Sequence, residues 1–330
     1  MSSNQPVVET KELTKKYGEL TALDQLSISL DRGQILGLIG PNGAGKTTAI
    51  KVLVGLARPT SGSANIAGAD CARQAKKIKH LVGYMPDTFG FYENMRVHEY
   101  LDFFGAAFGI WRSRRRARID EVMEMTGSTY MRDKFVESLS HGMKQRVAIA
   151  RTLLHDPEVL ILDEPANGLD PEARVEMRAI LLRLAELGKT LIVTSHILPE
   201  LSRICNQIAI LSHGKLRAFG TLSEIMQTVS QRRLIEVQLS GADQIEVVSE
   251  MIRDFAGADT EISESLQEAT VRFHTTKSDD ALGELLTLLV ESRANVWQFR
   301  ELQRDLEDAF LSVTRGETPD ASAPSPTAPA

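Results

Sequence analysis

Residues 34–53 read QILGLIGPNGAGKTTAIKVL, and this stretch decides the fold of the first part of the chain. The apolar run at 34–39 predicts a buried strand, the glycine-rich run at 40–48 follows at once, and residues 47–56 predict a helix. The run GPNGAGKTT matches the pattern G-x4-G-K-[ST], which binds nucleotide phosphates. A chance glycine-rich turn is the alternative, and the strand before and the helix after argue against it.

The residue types of this loop suit phosphate chemistry. Glycines let backbone N–H groups point at phosphate oxygens, and the helix start adds the positive end of its dipole. Lys46 is predicted to bridge the β- and γ-phosphates of a nucleotide, and Thr47 to offer its hydroxyl to Mg²⁺. The nucleotide-binding residues predicted here are Gly40, Pro41, Asn42, Gly43, Ala44, Gly45, Lys46, Thr47 and Thr48.

A second strand, EVLILD at 158–163, ends in two adjacent acids, Asp163 and Glu164. Ligands of parallel sheets bind at the carboxyl ends of the strands. Asp163 is therefore a predicted Mg²⁺ ligand, and Glu164 is predicted to take a proton from the attacking water or to orient it. A strand that simply ends in solvated acids is the alternative, and the phosphate-binding loop makes the functional interpretation the stronger one.

Apolar strands that alternate with helices predict an α/β fold, a parallel sheet with helices on its faces. Residues 7–31 are expected to form short strands, residues 88–157 to be mainly helical, and residues 206–219 to form a hairpin that turns at His213-Gly214. The predicted parallel strands are 34–39, 78–86, 158–163 and 190–195, and a helix is expected at 171–187.

The rest of the chain predicts a second, smaller domain at 230–315, after a first domain at 1–225. Its elements are expected in the order βαββαβ, which favours a small α+β, ferredoxin-like sandwich that ends in a short helix at 303–313. Residues 316–330 lack aromatic and large aliphatic side chains, so this tail is expected to be disordered.

Composition excludes several classes of protein. The 330 residues carry a net charge of −6, which argues against a chain that coats nucleic acid by bulk charge. The only two cysteines, Cys71 and Cys205, have no metal-ligand spacing, so a reducing cytosolic compartment is expected. We find neither a signal peptide nor an apolar stretch that could span a bilayer, and any role at a membrane is expected to act through a partner.

Three further elements complete a pattern. LSHGMKQR stands at 139–146, the acids at 163–164 lead into Gly168-Leu-Asp170, and His196 follows the next strand. With the phosphate loop, this order resembles the ATPase subunit of ATP-binding-cassette (ABC) transporters, over about residues 7–222. The resemblance implies a P-loop NTPase (RecA-like) core with an α-helical subdomain. The segments at 83–104 and 303–314 look like the subfamily that powers type-2 ABC exporters.

This resemblance implies a homodimer or pseudo-dimer whose two subunits pack head to tail around two ATP molecules. Ser140 and Gly142 would contact the γ-phosphate held by the partner, His196 would contact γ-phosphate and fix the attacking water, and Tyr17 would stack on adenine. The implied interface residues are Leu139, Ser140, His141, Gly142 and Asp170. The residues also allow plainer roles: Ser140 and Asp170 as helix caps, and Tyr17 as a turn residue.

The sequence departs from the family pattern at three positions. Asp87 stands where the family usually has Gln, and a carboxylate there can accept a hydrogen bond from a metal-bound water, so Asp87 is a further predicted Mg²⁺ ligand. His141 and Met143 stand where many relatives carry Gly and Gln. These changes bear on the rate of hydrolysis.

The resemblance implies an ATPase that uses ATP and Mg²⁺ and drives a membrane permease on a separate chain, at the cytoplasmic face of the membrane and without nucleic acid. A soluble ABC-type ATPase acting on ribosomes or DNA is the alternative. Such proteins carry two cassettes or a long coiled coil, and this chain has neither. An importer ATPase is disfavoured because its carboxy-terminal domain is commonly an all-β barrel, whereas residues 230–315 of this chain are predicted to be α+β.

Two clusters have no assigned task. The run RSRRRAR at 112–118 is expected to be a solvated helix face, with a nucleic-acid or anionic-lipid contact as the alternative. Aromatic residues concentrate at 88–104, beginning with Phe89, where core packing is the simple interpretation. The resemblance implies that this segment also forms the groove for a permease helix.

Overall fold

The computed structural model describes residues 6–88, 90–92, 94–195, 201–229, 233–257, 260 and 262–302. The predicted helix at 303–313, the predicted disordered tail at 316–330, and the residues Phe89 and His196 lie outside the described residues. The chain divides into two compact units, one up to Ser223 and one that begins at Glu224. In the described ranges, no helix combines the length and apolar character that crossing a membrane requires.

Ten strands of the first unit form one sheet in the order β5-β4-β1-β2-β10-β9-β3-β8-β7-β6. They are β1 (Val8–Tyr17), β2 (Leu20–Leu30), β3 (Ile35–Ile39), β4 (Ser61–Ile66), β5 (Ala69–Asp70), β6 (Val82–Met85), β7 (Val159–Leu162), β8 (Thr190–Ser195), β9 (Gln207–Ser212) and β10 (Lys215–Gly220).

The predicted parallel sheet is confirmed. Strand β3 pairs in parallel with β8 and β9, and β7 pairs in parallel with β6 and β8. Every residue of β3, β7 and β8 is buried, which explains why these strands read as continuous apolar runs rather than alternating ones. The hairpin of β9 and β10 turns at His213-Gly214, as the sequence predicts.

Six helices of the first unit lie in the part of the chain that the structure describes. They are α1 (Lys46–Leu53), α2 (Ala75–Leu81), α3 (Val97–Ala107), α4 (Arg112–Met125), α5 (His141–Leu153) and α6 (Pro171–Glu186), with 3₁₀ turns at Thr129–Met131 and Val136–Ser138. Helices α3, α4 and α5 pack on one another, and the buried Tyr100 of α3 accepts a hydrogen bond of 3.0 Å from Arg151 of α5. The segment predicted to be mainly helical does contain these three helices.

Two predictions about strands were wrong in part. The range 78–86 does contain a strand, β6, but residues 78–81 belong to helix α2, which buries Ile78. A short apolar run does not by itself distinguish the two periods. The expected short strands at 7–31 are two long strands, β1 and β2, whose pairing continues through local register shifts. The Thr10 hydroxyl bridges them by donating to Leu26 O at 2.9 Å.

The second unit has its own core. Helix α7 (Leu222–Val229) precedes β11 (Arg233–Leu239), α8 (Ile245–Ala256), β12 (Ile262–Ser265), β13 (Thr270–Thr275), α9 (Asp279–Glu291) and β14 (Val296–Leu302). The four strands form an antiparallel sheet in the order β12-β13-β11-β14. Apolar residues of α8 and α9, such as Ile252 and Leu285, pack with Val237 and Phe273 of the sheet. We propose that this unit is the ferredoxin-like domain that the sequence predicts.

Candidate functional site

The glycine-rich loop joins the end of β3 to the start of α1, and two of its glycines stand where a larger side chain would not fit. Gly45 caps α1 with a φ of 105°, a conformation that L side chains rarely adopt. A Cβ at Gly40 would lie 2.4 Å from the carbonyl oxygen of Leu211, so the loop also needs Gly40 for close approach to β9. The loop therefore places the amino end of α1 at the carboxyl edge of the sheet, where an anion is favoured.

Lys46 lies folded into this loop. Its ammonium group donates hydrogen bonds to the carbonyl oxygens of Gly40, at 2.6 Å, and Pro41, at 3.2 Å. The side chain is 8% exposed, and burial lowers its pKa while the carboxylates of Glu164 and Asp163 oppose that shift. A buried cation next to two acids is poised to exchange its carbonyl partners for phosphate oxygens.

The two acids at the end of β7 are held by one hydroxyl. The Thr194 hydroxyl donates to Asp163 Oδ1 at 2.6 Å and accepts from the Glu164 backbone N–H at 2.9 Å. Asp163 is 6% exposed, and burial together with Asp87 and Glu164 raises its pKa. Glu164 has a φ of 52°, a strained conformation for a residue with a side chain.

A cleft of about 910 Å³ brings these groups together. Of the predicted residues, those that line it are Tyr17, Asn42, Gly43, Ala44, Gly45, Lys46, Thr47, Thr48, Asp87, Asp163 and Glu164. Gly40 and Pro41 are not in the lining, but their carbonyl oxygens accept the hydrogen bonds of Lys46. One concave site thus contains a cation, a helix amino end and three carboxylates.

The donor set of this cleft fits a magnesium ion. Hard oxygen ligands suit Mg²⁺, which usually takes one or two carboxylates together with substrate phosphates and water. The Thr47 hydroxyl and the carboxylates of Asp163 and Asp87 face the same cleft. Burial first, and then the charges of Asp87 and Glu164, raise the pKa of the Asp163 carboxyl, and a cation bound there would favour its ionised form.

Sequence reasoning missed one wall of the cleft. Leu20, Thr21 and Ala22 at the start of β2, and His213 and Gly214 in the β9–β10 turn, line it beside the loop. Gly214 N donates to Ala44 O at 3.0 Å and fastens this turn to the loop. The predicted hairpin turn was the available signal, but the position of that turn depends on the sheet order. Tyr17 is 48% exposed beside this wall.

The LSHG element lies outside the cleft lining. Leu139 precedes α5 and is buried, and Ser140 caps that helix by accepting a hydrogen bond from Met143 N at 3.4 Å. The alternative role of Ser140, as the amino-terminal cap of a helix, is therefore confirmed. The absence of residues 139–142 from the lining of this cleft is compatible with their predicted contact with ATP held by a partner.

His141 joins this element to the loop after Glu164. Its Nε2 lies 2.9 Å from the carbonyl oxygen of Asn167, and Asn167 also lines the cleft. A Cβ at Gly142 would be 3.2 Å from Ala173 of α6, so the two segments are in close contact. Asp170 caps α6 by accepting a hydrogen bond from Ala173 N at 2.8 Å, which confirms that this residue is also a helix cap.

Comparisons with known proteins agree with this geometry. The family model described as "ABC transporter" matches residues 23–167. The bacitracin transport ATP-binding protein BcrA of Bacillus licheniformis is 37% identical over 94% of this chain and 98% of its own. The linearmycin resistance ATP-binding protein LnrL of Bacillus subtilis is 30% identical over 93% of this chain and 98% of its own.

A solved structure extends the likeness to the fold. The dimeric structure of MJ0796, a bacterial ABC transporter cassette, aligns with a TM-score of 0.58 and 25% identity over 65% of this chain and 98% of that one. The phosphate-binding loop, the acids at the end of β7 and full-length similarity lead to one conclusion. The chain belongs to the ABC transporter ATP-binding proteins, and it is an ATP-hydrolysing transporter subunit.

Proposed function

We propose that this subunit powers an exporter, as a homodimer that couples ATP hydrolysis to a permease on a separate chain at the cytoplasmic face of the membrane. The observation that carries the catalytic part is the cleft in which Lys46, Asp163 and Glu164 meet. Support for export comes from the two relatives of nearly equal length, which are named for bacitracin transport and linearmycin resistance.

In the proposed reaction, Lys46 leaves the carbonyl oxygens of Gly40 and Pro41 and binds β- and γ-phosphate oxygens. The loop N–H groups hold the same oxygens. A water oxygen bonds to the γ-phosphorus as the bond from phosphorus to the β–γ bridging oxygen breaks. Glu164 accepts the proton of that water, and ADP and phosphate leave.

Thr47, Asp163 and Asp87 would hold Mg²⁺, which supplies charge neutralisation for the phosphate oxygens when bound. Thr194 orients Asp163 for this task through its 2.6 Å hydrogen bond. His196 is proposed to contact the γ-phosphate, and Tyr17 is proposed to stack on adenine at the exposed end of the cleft.

The proposed dimer completes each site with the partner's Ser140 and Gly142 elements. Support for it comes from the similarity to a dimeric cassette and from the position of the LSHG element outside the cleft of its own chain. Leu139, His141 and Asp170 would lie at the same interface. Closure around ATP and opening after hydrolysis would drive the permease.

A complementation experiment tests the shared site. Lys46→Ala disables the phosphate loop, and Ser140→Asp keeps a helix cap while placing a charge that repels phosphate. Each variant alone should lose ATPase activity. A mixture should recover activity, because a mixed dimer contains one site with both an intact Lys46 and an intact Ser140. No recovery in mixed dimers isolated with two affinity tags would contradict the shared site.

The permease is tested with Glu164→Gln, which is expected to bind MgATP, lose turnover and remain dimeric in size-exclusion chromatography. Tagged Glu164→Gln should retain a multi-span membrane protein from solubilised native membranes with MgATP, and Lys46→Ala should retain less of it. Recovery of ribosomes or DNA-binding proteins in its place would favour the soluble ATPase. Full turnover in Glu164→Gln would remove that residue from its proposed role.

A further inference from the structure

The start of α4 carries an unpaired group of cations beside an exposed indole. Trp111 is 80% exposed, and Arg112, Arg114 and Arg116 are all exposed. No ion pair joins any of these three arginines to another residue in the part of the chain that the structure describes. These four residues are called the arginine patch below.

Two other arginines of the same run have clear packing partners. Arg115 donates to Asp102 of α3 at 2.7 Å, and its side chain is only 14% exposed. Arg118 donates to the carbonyl oxygens of Leu153, at 2.5 Å, and Leu154, at 3.0 Å, at the end of α5. These two side chains fasten α4 to its neighbours, so the packing of the helix does not require the arginine patch.

The arginine patch also acts against the stability of its own helix. The first turn of α4 contains no acidic residue, although the positive end of a helix dipole favours acids there. Arg112 and Arg116 stand one turn apart, a spacing at which like charges repel. The three arginines therefore stand at positions where their charges lower the stability of the helix, which points to a partner outside the chain.

We propose that the arginine patch binds anionic phospholipid headgroups, an inference that rests on the membrane location given under Proposed function. Guanidinium groups bind phosphate with paired hydrogen bonds, and tryptophan favours the interface between water and lipid. The chain as a whole carries a charge of −6, so attraction to an anionic surface must be local. A single-stranded nucleic-acid site uses a succession of stacking aromatics, whereas the arginine patch has one, Trp111.

The test uses the full chain and vesicles of defined composition. The chain has two tryptophans, so Trp297→Phe leaves Trp111 as the only indole reporter. Its emission should shift to shorter wavelength, and brominated acyl chains should quench it, with mixed phosphatidylglycerol–phosphatidylcholine vesicles but not with phosphatidylcholine alone. Added salt should weaken the binding.

The arginine patch is then neutralised as Arg112→Gln/Arg114→Gln/Arg116→Gln. Each basic residue near an anionic surface raises partitioning about fivefold, so the triple variant should bind on the order of a hundredfold more weakly in vesicle sedimentation. The matched control is Lys76→Gln/Lys77→Gln/Lys79→Gln, three exposed cations of α2. Basal ATPase activity should be unchanged in both triples, which reports intact folding.

Equal vesicle binding by wild type and the arginine triple would overturn the proposal, as would an equal loss in the lysine triple. Tighter binding of the wild type to an RNA oligonucleotide than to anionic vesicles would also overturn it. These outcomes leave the proposed exporter function intact, because that function is tested by subunit complementation and permease recovery. Failure of those two tests, with vesicle binding retained, would instead count against the exporter.

Discussion

The hydroxyl of Thr194 donates a 2.6 Å hydrogen bond to Oδ1 of Asp163 and thereby links β8 to the end of β7. The same oxygen accepts from the backbone of Glu164 at 2.9 Å. One buried hydroxyl thus orients the proposed Mg²⁺ ligand and the backbone of the proposed base. The two residues are 31 positions apart in the sequence.

Thr194→Val should impair both stability and catalysis. The change keeps the shape of the side chain but leaves a buried carboxylate and a backbone N–H without their partner, which costs about 1–3 kcal/mol of unfolding free energy. We expect kcat to fall roughly 10- to 100-fold, the usual effect of losing a residue that orients a metal ligand. Denaturant unfolding and steady-state kinetics measure the two effects.

Thr194→Ser is the matched control because it keeps the hydroxyl. It should retain most of the activity, with a small loss of stability from the missing methyl group. Equal kcat in the Val and Ser variants would show that the hydrogen bond does not matter for the reaction.

The positive φ of Glu164 should lower the stability of the folded protein, while its side chain is needed for activity. Its φ of 52° is costly for any residue with a Cβ and free for glycine. Glu164→Gly should therefore unfold at higher denaturant than Glu164→Ala, by about 0.5–1 kcal/mol after the entropy of glycine is subtracted. Both variants should lose turnover. If the alanine variant were the more stable of the two, the strain at this position would be refuted.

Asp163 should make the nucleotide-free protein less stable as the pH rises. Burial, Asp87 and Glu164 raise its folded-state pKa above the ordinary 3.8. A carboxyl with a raised folded-state pKa contributes stability below its unfolded-state pKa, and this contribution is lost as the pH rises through the folded-state pKa. Asp163→Asn, which still accepts from Thr194, should therefore unfold at a higher temperature than wild type at pH 7 in a chelator.

The difference between Asp163→Asn and wild type should shrink between pH 7 and pH 4, because falling pH favours protonation of the wild-type carboxyl and so removes the buried charge. MgATP should raise the melting temperature of wild type more than that of Asp163→Asn, since the latter lacks the proposed ligand. Calorimetry at the two pH values measures both effects, and a wild type that is more stable than Asp163→Asn in chelator at pH 7 contradicts the prediction.

His141 should position the loop after Glu164 through its contact with Asn167 O at 2.9 Å. His141→Ala removes that hydrogen bond, whose net value is about 0.5–1.5 kcal/mol, so kcat should fall up to about tenfold. His141→Gln keeps a donor and should recover part of the loss. His80→Ala, an exposed histidine on α2, serves as the control and should not change kcat.

Much of the first unit was predictable because its signals are local. The strand, the glycine loop and the helix at 34–53 are contiguous, and the apolar run before Asp163 identifies a strand buried on both faces. Helix α2 could not be predicted from its local sequence in the same way. Its seven residues contain one buried side chain, Ile78, which satisfies a helical and an extended pattern equally well.

The candidate site divides in the same way. Lys46 could be named because it completes the glycine-rich phosphate-binding pattern, and Asp163 and Glu164 because they directly follow an apolar strand. The contacts of His141 with Asn167 and of Thr194 with Asp163 could not, since each joins segments that are far apart in the sequence. The sequence shows a histidine and a threonine at these two positions, but not the partner of either.

The sequence by itself determined the phosphate-binding loop, since only glycine accepts the backbone at Gly45 and the close approach at Gly40. It also determined the acids at the end of β7, where an apolar strand must stop. Only the tertiary structure decided the wall of the cleft that contains Ala22 and His213, because β2 and the β9–β10 turn reach the loop through the order of strands in the sheet. Strand order depends on the packing of the whole sheet, which no local run of residues encodes.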